Sequence, residues 1–461
     1  MRRTKIIATI GPSSRSYDIL FRLVLEGVSG FRLNFAHGTH EEKLEEAKAV
    51  RAIERELGTY VTIVCDLSGP SVRLGKVPEF YVHEGEQVHL VYSDVGKAEE
   101  KEVPVPVRQF FEVLEDGDIV LIDDGRVWLR VDKIRRDRVV CTVLTSGAIR
   151  PGKGIGIKGK DLELPPLTSK DVEDIKFCVA NGIVDYFALS FVKRGDDVKI
   201  LRDLLNDLGA DDVGILAKIE TKSAVDRVDE IVQQSDGVII ARGDLGISLG
   251  LEKVPIVQHE IVRKCRYSGK PSIIATQILE SMVESPVPTR AEVVDIMVSV
   301  QEGVDAILLT NETAIGKYPV TCVTWLKRVL LEAEQRYQPE QVDATDDLYD
   351  KFARGVASLA DFIGAKLLIF TRRGTTARRI VKYRPRTAIY VATPSEVIAR
   401  RLNVMWGVKS FVIEERDVSK ALDKFLEHLK ERGDLTYGDI VILTGGMRGG
   451  ATDLARVEIV R

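Results

Sequence analysis

The chain has 461 residues, more than one hydrophobic core usually organises, so two or three domains are expected. Hydrophobic residues make up 44% and charged residues 30%, the balance of a globular protein and not of a disordered one. The 66 basic and 70 acidic residues leave a formal charge of −4, which argues against a nucleic-acid partner and makes any phosphate binding local.

Cys65, Cys141, Cys178, Cys265 and Cys322 are scattered singly, which suits a reducing cytosol and offers no zinc or disulfide framework. The opening Met1-Arg2-Arg3-Thr4-Lys5 is not followed by an apolar signal region, and no stretch approaches the length of a membrane span. The expectation is a cytoplasmic protein with no membrane partner.

Eight short apolar, β-branched runs occupy residues 5–10, 30–35, 62–66, 186–191, 214–220, 237–244, 271–276 and 306–310, with helix-length segments between them. Near-continuous hydrophobic strands need cover on both faces, which predicts a parallel α/β sheet, and eight repeats suggest closure into a (β/α)₈ TIM barrel. On pattern alone an open doubly wound sheet is the alternative.

Between the third and fourth runs, alternating strands at 87–92, 118–122, 127–131 and 139–144 are separated by turn signals such as Glu84-Gly85, Asp116-Gly117 and Asp123-Asp124-Gly125. They predict a small inserted all-β lid domain over residues 72–158, projecting from the face where barrel enzymes build their sites. The barrel then comprises residues 1–71 and 159–337, and the polar segment 338–347 reads as a linker. Strands at 367–371, 388–392, 410–413 and 439–444 predict a C-terminal α/β regulatory domain over residues 348–461.

Catalytic groups of such barrels come from the C-terminal strand ends. Here the second strand ends in Arg32-Leu33-Asn34-Phe35-Ala36-His37, the third in Asp66 and the fourth in Ser190. The fifth ends in Lys218-Ile219-Glu220, the sixth in Arg242-Gly243-Asp244, the seventh in Thr276 and the eighth in Thr310-Asn311-Glu312. Side chains alternate along a strand, so Lys218 and Glu220 share one side. A structural ion pair would suit an isolated Lys-x-Glu. On an otherwise apolar strand beside Asp244, however, two carboxylates converge on one ammonium and form a partial magnesium site, with room for water and substrate phosphate. Gly243 allows close backbone approach to a ligand, while Arg32 and Lys218 supply positive charge for a transferring phosphoryl group. A buried salt bridge is the other reading of Arg32.

These strand ends, in order, resemble the pyruvate kinase family through nearly the whole chain. The supporting stretches are residues 4–12, Arg32-Leu33-Asn34-Phe35-Ala36-His37-Gly38, Lys218-Ile219-Glu220, residues 241–246, 275–282 and 288–293, Glu312-Thr313-Ala314 and Tyr383-Arg384-Pro385. The resemblance implies transfer of the phosphoryl group of phosphoenolpyruvate to ADP, giving pyruvate and ATP in the last step of glycolysis, by a cytoplasmic homotetramer. It implies Mg²⁺ (or Mn²⁺ or another divalent ion) held by Glu220 and Asp244, and Lys218 stabilising the moving phosphoryl group and the enolate. Arg32 would clamp the phosphate, the backbone around Gly243 and Asp244 the substrate carboxylate, and Thr276 would protonate the enolate carbon, directly or through water. Ser190 falls on the substrate side, with Thr310 and Glu312 supporting it. Asn34, His37, Arg73 and Lys153 match nucleotide-side positions, although a histidine beside a glycine also serves as a capping or packing residue.

Departures from the family pattern matter as well. Asn34-Phe35-Ala36-His37 stands where the family shows Asn-x-Ser-His, and Asp66-Leu67-Ser68-Gly69-Pro70-Ser71 where it shows Asp-Thr-Lys-Gly-Pro-Glu. Oxygen ligands of a monovalent cation are thereby lost, and the expectation is an enzyme that does not require potassium. In the C-terminal domain, Thr371-Arg372-Arg373-Gly374-Thr375-Thr376 after a strand suits an anion, and the glycine-rich turn at 444–450 sits where the family places an effector loop. A phosphorylated allosteric effector is expected there, two structural turns being the alternative. Two rival functions are a barrel lyase with Lys218 as a Schiff-base nucleophile, which the flanking carboxylates disfavour, and a binding protein that has lost catalysis.

Overall fold

The computed structural model describes residues 2–123, 125–336, 340, 342–447 and 451–461. Parts of three expected segments therefore lie outside the described residues: Asp124 of the 123–125 turn, residues 338, 339 and 341 of the linker, and residues 448–450 of the glycine-rich turn.

Eight parallel strands close into a barrel: Lys5–Thr9, Gly30–Asn34, Thr62–Asp66, Tyr186–Leu189, Gly214–Ile219, Gly237–Ala241, Ser272–Ala275 and Ala306–Leu309. The first strand pairs with both the second and the eighth, so the open sheet is excluded. Alternation along each strand sorts the apolar residues. Ile6, Phe31, Ile215 and Ala217 pack outward against the helices, while Ile7, Val64, Tyr186, Leu216, Ile239 and Ile273 fill the barrel interior. Val404, from the C-terminal domain, joins that interior cluster.

Between the third and fourth barrel strands the chain forms a six-stranded sheet and a two-stranded sheet around a separate core that includes Val88, Phe110, Leu129 and Cys141. Beyond the barrel, five strands order as Val408–Val412, Ile389–Thr393, Lys366–Phe370, Ile440–Gly445 and Leu454–Ile459, with apolar clusters on both faces. The last of these is an antiparallel edge strand that the pattern did not separate, because every second residue is exposed and no continuous apolar run marks it.

Pro288-Thr289-Arg290-Ala291-Glu292-Val293 proves to be a helix start. Thr289 accepts from the Glu292 amide and the Glu292 carboxylate accepts from the Thr289 amide, a reciprocal cap on the helix Arg290–Glu302 worth about 1 kcal/mol. Tyr383-Arg384-Pro385 is a tie between domains: the buried Arg384 guanidinium bonds both oxygens of Asp305, which immediately precedes the eighth barrel strand. Among the described residues no helix is long and apolar enough to cross a membrane.

Candidate active site

At the C-terminal mouth of the barrel the inward-facing rows end in charge. Val64 leads to Asp66, Leu216 to Lys218 and Glu220, and Ala188 to Ser190, each two residues further on and so on the same side. Arg32, between the outward Phe31 and Leu33, faces the same interior. Its Nε donates to Asp66 Oδ2 at 2.6 Å and its Nη1 to Thr9 Oγ1 at 3.3 Å. Lys218 Nζ donates to Ser190 Oγ at 2.8 Å and stands 3.6 Å from Asp66 Oδ1 and 3.4 Å from Glu220 Oε2. Ser190 in turn donates to the Leu67 carbonyl at 2.8 Å.

Two cations thus share one buried carboxylate. Burial alone would raise the Asp66 pKa, but Lys218 and Arg32 overcome it and hold the carboxyl below its ordinary range. Burial likewise pulls on the Lys218 ammonium, and the carboxylates of Asp66 and Glu220 outweigh it, so its pKa stands above the usual lysine value. Glu220 is less well compensated. Burial, offset in part by Lys218 and reinforced by Asp244, pushes its carboxyl up to about 7. One of its oxygens accepts from the Phe191 amide at 2.7 Å, and that amide is aimed by the left-handed backbone of Phe191, φ 54°. The other, Oε2, is buried without a hydrogen-bond partner among the described residues.

Glu220 and Asp244 line the same cleft, of ≈ 260 Å³, together with Arg73, Phe191 and residues of the β insert such as Ile155 and Leu121. The donor set fits a hard divalent cation. Among the described residues no group of three or more His, Cys, Asp or Glu side chains gathers as a ready-made cage. Magnesium takes one or two carboxylates and completes its shell with water and substrate phosphate, so the pair suffices.

Thr276 is placed by its backbone. Strict alternation would send it outward with Ile274, but it adopts φ 69° and the next residue, Gln277, φ 53°. Its hydroxyl accepts from the Gly243 amide at 2.7 Å, and a Cβ at Gly243 would come within 3.4 Å of that oxygen. Glu312 is fully buried and accepts from the amides of Leu279 at 3.0 Å and Thr310 at 2.7 Å, tying the seventh and eighth strand ends together.

The expected nucleotide-side residues do not converge. Arg73 is exposed on the cleft rim and donates to the Gly152 carbonyl at 3.1 Å. Lys153 pairs with Asp123 at 2.8 Å. Asn34 is spent locally, its Oδ1 accepting from the Ala36 amide at 3.1 Å. His37 is exposed and lines a different cavity, of ≈ 250 Å³, with His40, Lys43 and Lys170. In the C-terminal domain Thr371 and Thr376 are buried, Arg372 and Arg373 exposed, and Gly374, at φ 84°, precedes the helix Thr375–Val381. Sequence reasoning gave Asp66 no role beyond a motif position and passed over Arg242. The signal for Asp66 was the one that found Glu220, a lone acid ending an apolar strand.

A closed barrel whose mouth gathers two cations beside buried carboxylates has the charge arrangement of a phosphotransferase of the barrel class. The description "Pyruvate kinase, barrel domain" matches residues 1–323, and "Pyruvate kinase, alpha/beta domain" matches residues 350–458. A pyruvate kinase of Pyrobaculum aerophilum is 40% identical over 450 residues, covering 97% of this chain and 95% of that one. One of Agrobacterium vitis is 41% identical over 416 residues, 88% and 85% of the two chains. The crystal structure of pyruvate kinase from Pyrobaculum aerophilum superposes with a TM-score of 0.89 at 38% identity, covering 100% of each chain. That of a pyruvate kinase from Cryptosporidium parvum gives 0.92 at 31%, covering 100% of this chain and 96% of that one. The chain belongs to the pyruvate kinase family.

Proposed function

We propose that the chain transfers the phosphoryl group of phosphoenolpyruvate to ADP at the barrel mouth, with Mg²⁺ and without a potassium requirement. The observation that carries this reading is the placement of Arg32 and Lys218 on either side of Asp66, with Lys218 also 3.4 Å from a buried Glu220 oxygen that accepts no hydrogen bond among the described residues. Arg32 holds the substrate phosphate, and Lys218 neutralises charge on the transferring group and on the enolate oxygen left behind. The Asp244 amide, in the first turn of the helix Arg242–Leu249, receives the substrate carboxylate, and Gly243, without a side chain, lets it approach the backbone. Thr276 delivers a proton to the enolate carbon, its hydroxyl already accepting from Gly243 so that its own hydrogen remains to donate. Glu220 and Asp244 would hold the divalent ion, which when bound offsets the charge of phosphate and enolate. Arg73, Asn34, His37 and Lys153 contact the nucleotide after the insert closes over the cleft.

Potassium independence is supported by chemistry at three positions. Ala36 and Leu67 carry no side-chain oxygen, Leu67 packs into the outer core, and Ser71 offers a hydroxyl in place of a carboxylate. A coupled assay of pyruvate formation is expected to show full activity in sodium-only buffer, loss with a chelator and recovery with Mg²⁺. A large stimulation by potassium sinks the reading.

A phosphorylated effector, acting on the homotetramer that the resemblance implies, is proposed at Thr371, Arg372, Arg373, Gly374, Thr375 and Thr376. Support comes from the buried hydroxyls there: Thr452 donates to Thr376 at 3.3 Å, and the neighbouring Thr444 hydroxyl is buried with no hydrogen-bond partner among the described residues. Titration with sugar phosphates and AMP is expected to lower the half-saturating phosphoenolpyruvate concentration, and no change with any of them counts against the site.

A further inference from the structure

Arg242, first residue of the helix after the sixth barrel strand, is buried, and its guanidinium is fully engaged. Nη1 donates to both oxygens of Asp295, at 2.9 and 2.7 Å. Nη2 donates to the carbonyls of Thr276 at 3.0 Å and Gln277 at 2.7 Å, and Nε reaches the Thr276 carbonyl at 3.3 Å. These carbonyls belong to the two consecutive residues with left-handed backbone at the end of the seventh strand. Left-handed geometry is sparsely populated for any residue with a Cβ, and for a β-branched threonine it is an outlier that the surroundings must impose.

We propose that Arg242 is a positioning residue for the proton-delivering step: it holds the Thr276–Gln277 turn left-handed so that the Thr276 hydroxyl reaches the mouth. This rests on the role proposed for Thr276 above. Three features carry the inference. Without the left-handed turn, alternation along the strand would face Thr276 outward with Ile274. The next residue, Gly243, donates its amide to the Thr276 hydroxyl, so residues 242 and 243 grip the turn by carbonyl and side chain together. Asp295 neutralises the guanidinium, which therefore brings no net charge to an anionic substrate and serves geometry instead. Asp295 is itself fixed by the helix Arg290–Glu302, whose reciprocal Thr289–Glu292 cap is part of the family motif. A planar fork is required here, because a lysine ammonium cannot span two carbonyls and a carboxylate at once.

The test compares wild type with Arg242→Lys, Arg242→Met and Asp295→Asn. It reads kcat and KM for phosphoenolpyruvate, the thermal midpoint, and exchange of pyruvate methyl protons with deuterium oxide in the presence of Mg²⁺ and ATP. In Arg242→Lys, kcat and the methyl exchange are expected to fall together, on the order of 10²-fold, the scale of an ångström-level misplacement, with KM little changed. Asp295→Asn is expected to lose less, since its amide still accepts one bond, and it keeps the test open should Arg242→Met not fold. Exchange at the wild-type rate in Arg242→Lys overturns the inference, as does a rise in KM that accounts for the loss. A wild-type protein inert towards phosphoenolpyruvate and ADP refutes instead the proposed function on which the inference stands.

Discussion

Lys218→Met is expected to lower kcat/KM for phosphoenolpyruvate by on the order of 10³-fold or more, the scale associated with removing a cation from a transferring phosphoryl group. Methionine keeps the length and apolar stem of the side chain and deletes only the charge and its donors. The ammonium stands between Asp66 at 3.6 Å, Glu220 at 3.4 Å and the Ser190 hydroxyl at 2.8 Å, so its loss leaves two buried carboxylates, of which Asp66 keeps Arg32. Pyruvate formation in the coupled assay measures the effect, and unchanged activity would refute the mechanism. The same preparation separates phosphoryl transfer from Schiff-base chemistry. Carboxylates that hold Lys218 protonated withhold the lone pair a carbonyl needs, so borohydride with pyruvate is expected to leave the mass of the wild-type chain unchanged.

Arg384→Met is expected to give the largest loss of stability, about 3–5 kcal/mol, because it strands a buried carboxylate. Arg384 and Asp305 are 2% exposed, their charges meet at 3.0 and 2.9 Å, and the same guanidinium donates to the Gly303 carbonyl at 2.6 Å. Asp305 also accepts from the Trp406 amide at 3.0 Å, so one carboxylate binds the barrel to two segments of the C-terminal domain. Denaturant titration followed by fluorescence measures the loss. A shift within about 0.5 kcal/mol, the range of surface substitutions, would contradict the assignment.

The motifs that named the family divide by what the structure makes of them. Lys218-Ile219-Glu220 was legible as chemistry because polar residues on an apolar strand need a reason and period-two alternation gives their direction. Tyr383-Arg384-Pro385 and the 288–293 stretch were equally legible as family marks, yet one is a domain tie and the other a helix cap. Nothing local distinguishes an arginine that binds substrate from one that binds a carboxylate 79 residues away. The four nucleotide-side residues show the same limit. They come from three separate stretches of the chain, and in this structure Arg73 alone among them lines the cleft with Glu220 and Asp244.

By itself, then, the sequence determined the elements whose signal is local: eight apolar strands, an alternating β insert, a second α/β unit, and Arg32, Lys218, Glu220 and Asp244 beside the strand ends. Tertiary structure decided what depends on distant chain segments meeting. It put Asp66 between two cations, left one Glu220 oxygen without a hydrogen bond among the described residues, and made Arg242 the clamp on Thr276. The reason is physical. Periodicity reports which way a side chain leaves a regular backbone, and Thr276 leaves an irregular one, held left-handed by donors 34 and 33 residues away in the chain.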